Sequence, residues 1–216
     1  MPEFKVVVND PEAKDPKVVW VKVVGVDDLK YTEEHKEGRS IPEARMNPKT
    51  LELLNAPYRI ITLRIWKNRA ANEKVKFTLK VVTDEKVPEN TVYVPKALLT
   101  DKLGQEEAVG EVFRAKAFQV TVTGDKAALF IGKKIGDVVD ASVVGIGGKK
   151  LLITGGSDFA GFPMIPTLPG AGKKALLLAG PPGFHPKNKG ERRGKYVRGN
   201  TISEEIVQIN TKLVSA

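Results

Sequence analysis

The amino-acid sequence predicts a mainly β protein of the small-barrel or sandwich type. Short runs of β-branched and apolar residues recur along its 216 residues, and glycines follow many of these runs. The composition changes near residue 116: residues 1–116 have 21 basic and 19 acidic side chains, whereas residues 117–216 have 14 and 7. Of the 20 glycines, 16 follow residue 116. We therefore expect two parts of different character.

Ten runs read as strands because they are short, rich in β-branched residues and bounded by turn residues. They are residues 4–8, 17–24, 58–66, 74–82, 91–94, 117–123, 138–144, 151–154, 174–178 and 206–214. Residues 74–82 alternate polar and apolar side chains, which is typical of a strand with one wet face. Residues 68–73 then form the hairpin loop between two of the strands.

Three segments favour helices. In residues 47–54, Asn47 is a good N-cap and Pro48 suits the first turn. Residues 95–103 end at Gly104, a normal helix stop. Residues 125–131 end at Gly132 in the same way. These short elements connect strands and do not suggest a helical domain.

Several functional classes are excluded or weakened by composition. The chain has no cysteine, which excludes disulfides, thiolate catalysis and cysteine-based zinc sites. The two histidines, His35 and His185, lie far apart in polar segments, so neither a metal site nor a catalytic triad is indicated. Residues 169–174 resemble part of a phosphate-binding loop but lack its first glycine and its final Ser or Thr. We expect no cofactor, no metal, no membrane span, no signal peptide and a cytoplasmic protein.

The strongest functional signal is a basic, glycine-rich segment at residues 183–200. Its cations are Lys187, Lys189, Arg192, Arg193, Lys195 and Arg198, and they are opposed by Glu191. Phe184 and Tyr196 add planar groups that can stack on bases. A charge run is most often a solvated face. Here acids are scarce, arginine is concentrated and apolar strands flank the segment, so we expect an extended loop that binds a polyanion, RNA or DNA.

Two lysine pairs each follow a glycine turn: Lys149 with Lys150, and Lys173 with Lys174. A bare turn lets the backbone approach a phosphate closely, and the lysines supply charge. We expect these pairs to form a second rim of the nucleic-acid site, although two solvated hairpin tips explain the pattern equally well.

Five segments of the chain resemble the S-six-e family of small-subunit ribosomal proteins, shared by archaea and eukaryotes. They are ITGGSDFAGFPM (153–164), GPPGF (180–184), KGERRGKYVRGNTISEEIVQIN (189–210), IGKKIGDVVDASVVGI (131–146) and FKVVVNDPEAK (4–14). The resemblance implies a small β-barrel-like core that docks on ribosomal RNA beside neighbouring ribosomal proteins, with no enzymatic activity and no small-molecule substrate. It also implies that Arg198 and Asn200 face RNA.

Two departures from the family pattern refine this reading. In shorter members the first strand turns directly into the second, whereas here about a hundred residues intervene. We therefore expect an RNA-binding core of residues 1–14 and 117–216, with a β-rich (α+β) domain of residues 15–116 inserted at the first hairpin, as in long archaeal members. Eukaryotic members continue into a long basic helix with regulatory serines, and this chain stops at Ala216, so phosphorylation control is not carried over.

The sequence thus predicts a structural, RNA-binding protein of the small ribosomal subunit. A nonribosomal β-barrel protein that binds single-stranded nucleic acid is the main alternative. An enzyme acting on a phosphorylated small molecule is a third reading, and it lacks an obvious catalytic base.

Overall fold

The structure, a computed structural model, describes residues 2–69 and 71–215. Its strands are β1 Glu3–Asn9, β2 Val19–Val26, β3 Glu43–Met46, β4 Ile60–Asn68, β5 Glu73–Thr83, β6 Thr91–Pro95, β7 Glu107–Arg114, β8 Ala117–Thr123, β9 Val138–Asp140, β10 Lys149–Asp158, β11 Lys173–Leu178, β12 Arg193–Arg198 and β13 Ile206–Ser215. Its α-helices are α1 Glu33–Lys36, α2 Pro48–Leu54, α3 Lys96–Leu103 and α4 Gly124–Ala128. The mainly β prediction is confirmed.

The chain forms two compact units. One comprises residues up to Asn9 and from Gln119 onward, and we call it the sheet unit. The other is Asp10–Phe118, which we call the barrel unit. These bounds lie within a few residues of the division at 14/15 and 116/117 expected from the sequence. The assignment of RNA binding to the first unit stays a prediction.

The sheet unit is built on five strands in the order β8-β1-β13-β10-β9. Strand β13 lies at the centre, parallel to β1 and antiparallel to β10. Alternate residues of β1, Phe4, Val6 and Val8, are buried, and Phe130 packs edge-on against Phe4 with ring centroids 6.3 Å apart. This alternation fixes the register, because a shift of one residue would expose the apolar side chains.

A two-stranded antiparallel ribbon of β11 and β12 completes the sheet unit. Its register runs from Lys173 opposite Arg198 to Leu178 opposite Arg193. The sequence prediction of an extended loop over 183–200 missed β12, whose polar and glycine-rich residues carry no strand pattern of their own. The strand forms because its backbone pairs with β11.

The barrel unit closes six strands in the order β2-β6-β3-β5-β4-β7. The pairs β2–β6 and β3–β5 are parallel, and the others are antiparallel. Inward-facing side chains fill its interior, among them Val23, Met46, Leu63, Leu79, Val94 and Val112. The expected alternation of residues 74–82 is confirmed, since Phe77, Leu79 and Val81 are buried in β5.

The position of the barrel differs from the expectation. The closed barrel lies in residues 19–114, the segment expected to be an insertion, whereas the presumed barrel-like core is a five-stranded sheet with a ribbon. One outer strand of that sheet, β9, has only three residues, and Phe130, Val143 and Ile146, which lie outside its strands, are buried.

Smaller differences concern single elements. Strand β9 ends at Asp140, and Ala141–Val144 form a 3-10 helix capped by the Asp140 carboxylate, which accepts from the Ser142 N–H at 2.8 Å. Strands β3 and β7 were not predicted. The helices α2 and α3 are confirmed with their caps: Asn47 accepts from the Lys49 N–H at 3.0 Å, and Gly104 adopts φ 70°. In the part of the chain that the structure describes, no helix is long and apolar enough to cross a membrane.

A buried ion pair joins the two ends of the barrel unit. Arg114, at the end of β7, donates from Nε to the Asp10 carboxylate at 2.8 Å and also contacts Glu12 at 3.3 Å. The Asp10 N–H donates to the Lys116 carbonyl at 2.8 Å. The points where the chain enters and leaves this unit are therefore held side by side.

Candidate nucleic-acid interface

The predicted basic segment is built on the ribbon. We call residues 173–198 the basic ribbon: β11, the loop 179–192 and β12. Its exposed cations with neither an ion pair nor a cation–π contact to any described residue are Lys174, Lys187, Lys189, Arg192 and Lys195. Like charges held on a paired strand and its loop produce a positive potential over this surface.

Glu191, the acidic residue of the loop, orders the loop backbone more than it neutralises the loop's positive charge. Its carboxylate accepts from the backbone N–H of Lys187 at 2.9 Å and of Asn188 at 3.4 Å, and Arg193 Nε lies 3.0 Å away. The Lys187 N–H is the main reason why the pKa of Glu191 lies below its ordinary value, with Asn188 and Arg193 acting in the same direction. Arg193 is thus partly neutralised, and the turn from 187 to 193 is fastened.

Aromatic rings flank a lysine at the base of the ribbon. Lys173 Nζ lies 4.4 Å from the centroid of Phe162 and 4.7 Å from that of Tyr196, and the two rings are 5.7 Å apart. Such cation–π contacts orient the ammonium group. Tyr196 is still 54% exposed, so a face of its ring is accessible to a base. The predicted stacking residue Tyr196 is therefore suitably placed.

Arg198 is placed differently from the expectation. Its side chain is 6% exposed, Nε donates to Asp158 Oδ2 at 2.8 Å, and Nη1 donates to the Glu205 carboxylate. Burial works to lower the pKa of Arg198, but the bonds to Asp158 and Glu205 outweigh it and raise the pKa. The guanidinium is therefore held by internal partners, and Arg198 joins β12 to the end of β10 within the sheet unit.

Asp158, at the end of β10, is the internal partner that fixes this junction. Its Oδ1 accepts from the N–H groups of Ala160 at 3.0 Å and Phe162 at 2.8 Å. Burial works to raise the pKa of Asp158, but the hydrogen bonds from Arg198, Phe162 and Ala160 lower it overall. The segment ITGGSDFAGFPM quoted from the sequence thus contains, at Asp158, a carboxylate that organises the loop after β10 and holds Arg198 of the ribbon.

Gly199 and Asn200, which follow Arg198, lie where this segment passes close to the 166–172 loop. A Cβ on Gly199 would lie 1.9 Å from the Gly170 carbonyl oxygen, so no larger residue fits here without movement of the backbone. Asn200 donates to the Pro166 carbonyl at 3.2 Å and accepts from the Thr201 hydroxyl at 3.0 Å. Its amide therefore helps to order the 166–172 loop, and the RNA-facing role of Asn200 stays a prediction.

Phe184 also differs from the expectation. Its ring is buried, because the loop folds back on the ribbon and Gly183 comes close to Leu178 and Val197. A buried ring has no face for a base, so Phe184 is a packing residue. Its position after two prolines and a glycine carried no signal that would have shown this.

The two lysine pairs are not brought together. Lys173 and Lys174 begin β11, in the ribbon. Lys149 and Lys150 begin β10, whose other end carries Asp158, so roughly 30 Å of strand separates them from the junction. Lys149 is partly buried and Lys150 is exposed. The two lysine pairs that were expected to form a second rim therefore lie at two separate places.

A third glycine-lysine-lysine sequence, at residues 132–134, was overlooked. The Gly132 N–H donates to the Ile202 carbonyl at 2.9 Å, and Lys134 bridges to Thr201, so both exposed lysines lie just beyond the ribbon junction. The sequence carried the signal, since Gly132 precedes a lysine pair in the same way as Gly148 and Gly172.

Comparison with known proteins identifies the family. The model of Ribosomal protein S6e matches residues 108–216. The protein called small ribosomal subunit protein eS6 from Hyperthermus butylicus is 55% identical over 99% of this chain and 98% of its own length. The chain belongs to the Ribosomal protein S6e family. The relatives of the same name from Staphylothermus marinus and Saccharolobus islandicus are 50% and 46% identical, and they too are archaeal and align over nearly their full lengths.

The family model begins at residue 108 and so leaves most of the barrel unit unmatched, whereas the long archaeal relatives cover it. The predicted membership in a long archaeal form is thereby confirmed. Among solved structures, a rationally designed protein, mkDPBB_sym1, aligns with 46% of this chain and all of its own at 20% identity, but its TM-score of 0.31 is too low to bear on the fold.

Proposed function

We propose that the chain is a structural protein of the small ribosomal subunit and that it binds ribosomal RNA through the basic ribbon. The family and the relatives named small ribosomal subunit protein eS6 support the first part. The role is structural and not enzymatic, the partners are ribosomal RNA and neighbouring ribosomal proteins, and the place of action is the ribosome in the cytoplasm.

The observation that supports the RNA-binding role is the set of exposed cations on an ordered ribbon. Lys174, Lys187, Lys189, Arg192 and Lys195 have no acidic partner among the described residues, while Arg198 and Glu191 hold the strands and loop that present them. A frame that is already ordered loses little conformational entropy on binding.

Within this site we assign different roles to the residues. The exposed lysines and arginines contact phosphates, and Tyr196 stacks on a base. Lys133 and Lys134 extend the contact beyond the ribbon junction, whereas Lys149 and Lys150 make a separate contact at the far end of β10. Arg198, Asn200 and Phe184 position these groups without touching RNA.

A salt titration tests the proposal. The full-length chain binds a transcript of small-subunit ribosomal RNA, and its affinity is measured over a range of salt concentrations. If five phosphates are neutralised, the slope of log affinity against log salt is roughly −3.5 to −4.5. The triple variant Lys187→Gln, Lys189→Gln, Arg192→Gln removes three of the contacts, and the slope becomes shallower by roughly 2 to 3.

A matched control is Lys126→Gln, which removes an exposed lysine of α4 outside the ribbon. This variant keeps the slope of the original protein. An unchanged slope in the triple variant would contradict the proposed site. The nonribosomal alternative gives a different result in a separate measurement: the protein would then fail to cosediment with small subunits at near-equal stoichiometry.

A further inference from the structure

The barrel unit carries an aromatic and basic surface of its own. Outward-facing positions of four adjacent strands, β2, β7, β4 and β5, bring together Trp20, Phe113, Arg64, Trp66 and Lys74, and Arg69 follows β4. We call these six residues the aromatic-basic face. Trp20 is 49% exposed, although a large ring on a barrel is more often covered.

Arg64 is fixed at the centre of this face. Its guanidinium lies 5.3 Å from the centroid of Trp66 and 5.2 Å from that of Phe113. Its Nε donates to Glu111 at 2.6 Å, and the Glu111 side chain is nearly fully buried. Glu111, which lies opposite Trp20 in the strand register, is therefore already neutralised by Arg64 and does not cancel the charge of the other cations.

Two further cations lie over the indole rings. Arg69 is 5.5 Å from the centroid of Trp20 and 5.9 Å from that of Trp66, and Lys74 is 5.1 Å from that of Trp66. The Arg69 side chain is 71% exposed, and its Nη2 lies 4.0 Å from Glu111 Oε1, so this ion pair holds Arg69 only weakly. The Trp66 indole N–H beneath is buried and has no hydrogen-bond acceptor among the described residues, which is an unusual cost for a polar group.

We propose that the aromatic-basic face binds an unpaired segment of RNA. A base stacks on Trp20, and the flanking phosphates bind Arg69 and Lys74. This inference goes beyond the proposed function, because it assigns an RNA contact to the barrel unit through residues that are unrelated to the basic ribbon. The ordered rings and the cations beside them are the combination that binds single-stranded nucleic acid without sequence preference.

Charge and geometry favour RNA over an acidic peptide. Acidic side chains would pair with Arg69 and Lys74 but would leave the half-exposed ring of Trp20 without a matching surface. An unstacked nucleobase supplies a planar face for that ring, and its backbone supplies a negative charge on either side. The neighbouring Lys76, opposite Arg64 in the register, extends the positive surface along the same face.

Tryptophan fluorescence gives a direct test, because both tryptophans of the chain belong to this face. The full-length protein is titrated with a fluorescence-silent oligoadenylate of about 12 nucleotides, within the usual range of site sizes. Stacking quenches the emission. Inorganic polyphosphate carries the charge but no base, and we expect it to compete with the RNA without quenching to the same extent.

Variants separate this face from the ribbon. The ribbon variant Lys187→Gln, Lys189→Gln, Arg192→Gln keeps the quenching, whereas Trp20→Leu lowers the affinity for oligoadenylate by about tenfold or more, the usual contribution of one stacked base. Trp20 is half exposed, so this variant folds, and Arg69→Ala tests the same site by a second route with both indoles in place. Lys86→Ala, an exposed lysine between β5 and β6, is the matched control and keeps the affinity.

Four results would overturn the inference. One is the absence of quenching by oligoadenylate, and another is equal quenching by polyphosphate, which would reduce the effect to charge. The third is a response to polyglutamate in place of RNA, which would make the face a docking surface for an acidic protein. Loss of quenching in the ribbon variant would likewise show that the two surfaces are not independent.

Discussion

The replacement of Arg198 by methionine tests the ion pairs that Arg198 makes with Asp158 and Glu205. Methionine keeps much of the volume and the unbranched shape of arginine but removes the guanidinium that binds Asp158 and Glu205. The change leaves the Asp158 carboxylate, 1% exposed, without its cationic partner. We expect a loss of stability in the sheet unit and no specific change in the electrostatics of RNA binding.

The magnitude follows from the partners that remain. Breaking a buried ion pair by removing one partner typically costs about 3–5 kcal/mol. Asp158 keeps the N–H groups of Ala160 and Phe162, which partly solvate its charge, so the expected loss is about 3 kcal/mol. Arg198→Lys retains the positive charge without the fork geometry, and we expect a smaller loss of about 1–2 kcal/mol.

The assay is unfolding in denaturant followed by two probes. Far-UV circular dichroism reports on both units, whereas tryptophan fluorescence reports on the barrel unit, which contains both Trp20 and Trp66. The loss should appear in the transition that circular dichroism detects and fluorescence does not. The salt slope of RNA binding is then measured at a temperature where the variant is folded.

Two results would refute the reasoning. A loss of stability below about 1 kcal/mol would show that the pair contributes no more than an exposed salt bridge. A fully folded Arg198→Met protein whose salt slope becomes shallower by nearly one unit would show that Arg198 contacts a phosphate after all.

Three further predictions follow from single contacts. Gly199→Ala forces its Cβ into the Gly170 carbonyl and should destabilise the protein by more than about 2 kcal/mol, the size of an overpacking defect. In the control Gly194→Ala the new Cβ meets no atom within 4 Å, and the expected cost is less than about 1 kcal/mol. Thermal melting of both variants compares the two losses. Arg114→Met strands the buried Asp10 carboxylate and should lower the stability of the barrel unit by about 3–5 kcal/mol, read from tryptophan fluorescence, and a loss confined to the other transition would contradict this. Because folding lowers the pKa of Asp158, its carboxylate stabilises the folded state above the ordinary value of 3.8, and this stabilisation is lost as the pH falls through the lower folded value. The difference in unfolding free energy between the original protein and a variant lacking this carboxylate should therefore shrink in strong acid. It should not change above pH 5, about one unit above that ordinary value.

Local chemistry made some elements predictable from the sequence. Helices α2 and α3 were expected because Asn47, Pro48 and Gly104 act within one turn of the chain, and such local signals survive in any tertiary setting. Strand β5 was expected because its alternation matches a barrel wall with one wet face. Strand β7 was missed because Gly110 interrupts its pattern, yet a side chain at that position would press on the Arg64 carbonyl at 3.0 Å.

The candidate site shows where sequence reasoning fails for physical reasons. Charge and residue type indicated a nucleic-acid surface, but they do not distinguish an exposed arginine from a buried one. Arg192 and Arg198 lie six residues apart in one basic run, yet Arg198 has buried partners, Asp158 from β10 and Glu205 beyond β12, that only the fold brings to it. The aromatic-basic face was missed for the same reason, because Trp20 and Trp66 belong to strands that are distant in sequence.

The ion pair between Asp10 and Arg114 has a consequence for how such a chain can change over generations. In the sheet unit β1 and β8 are neighbours, and the segment between them starts and finishes at one clamped point. A gene that loses this segment needs only a tight turn to reconnect the two strands, and no residue of the sheet has to move. Short and long versions of the protein can thus arise from each other in one step, with the strands of the sheet unit left in place in both.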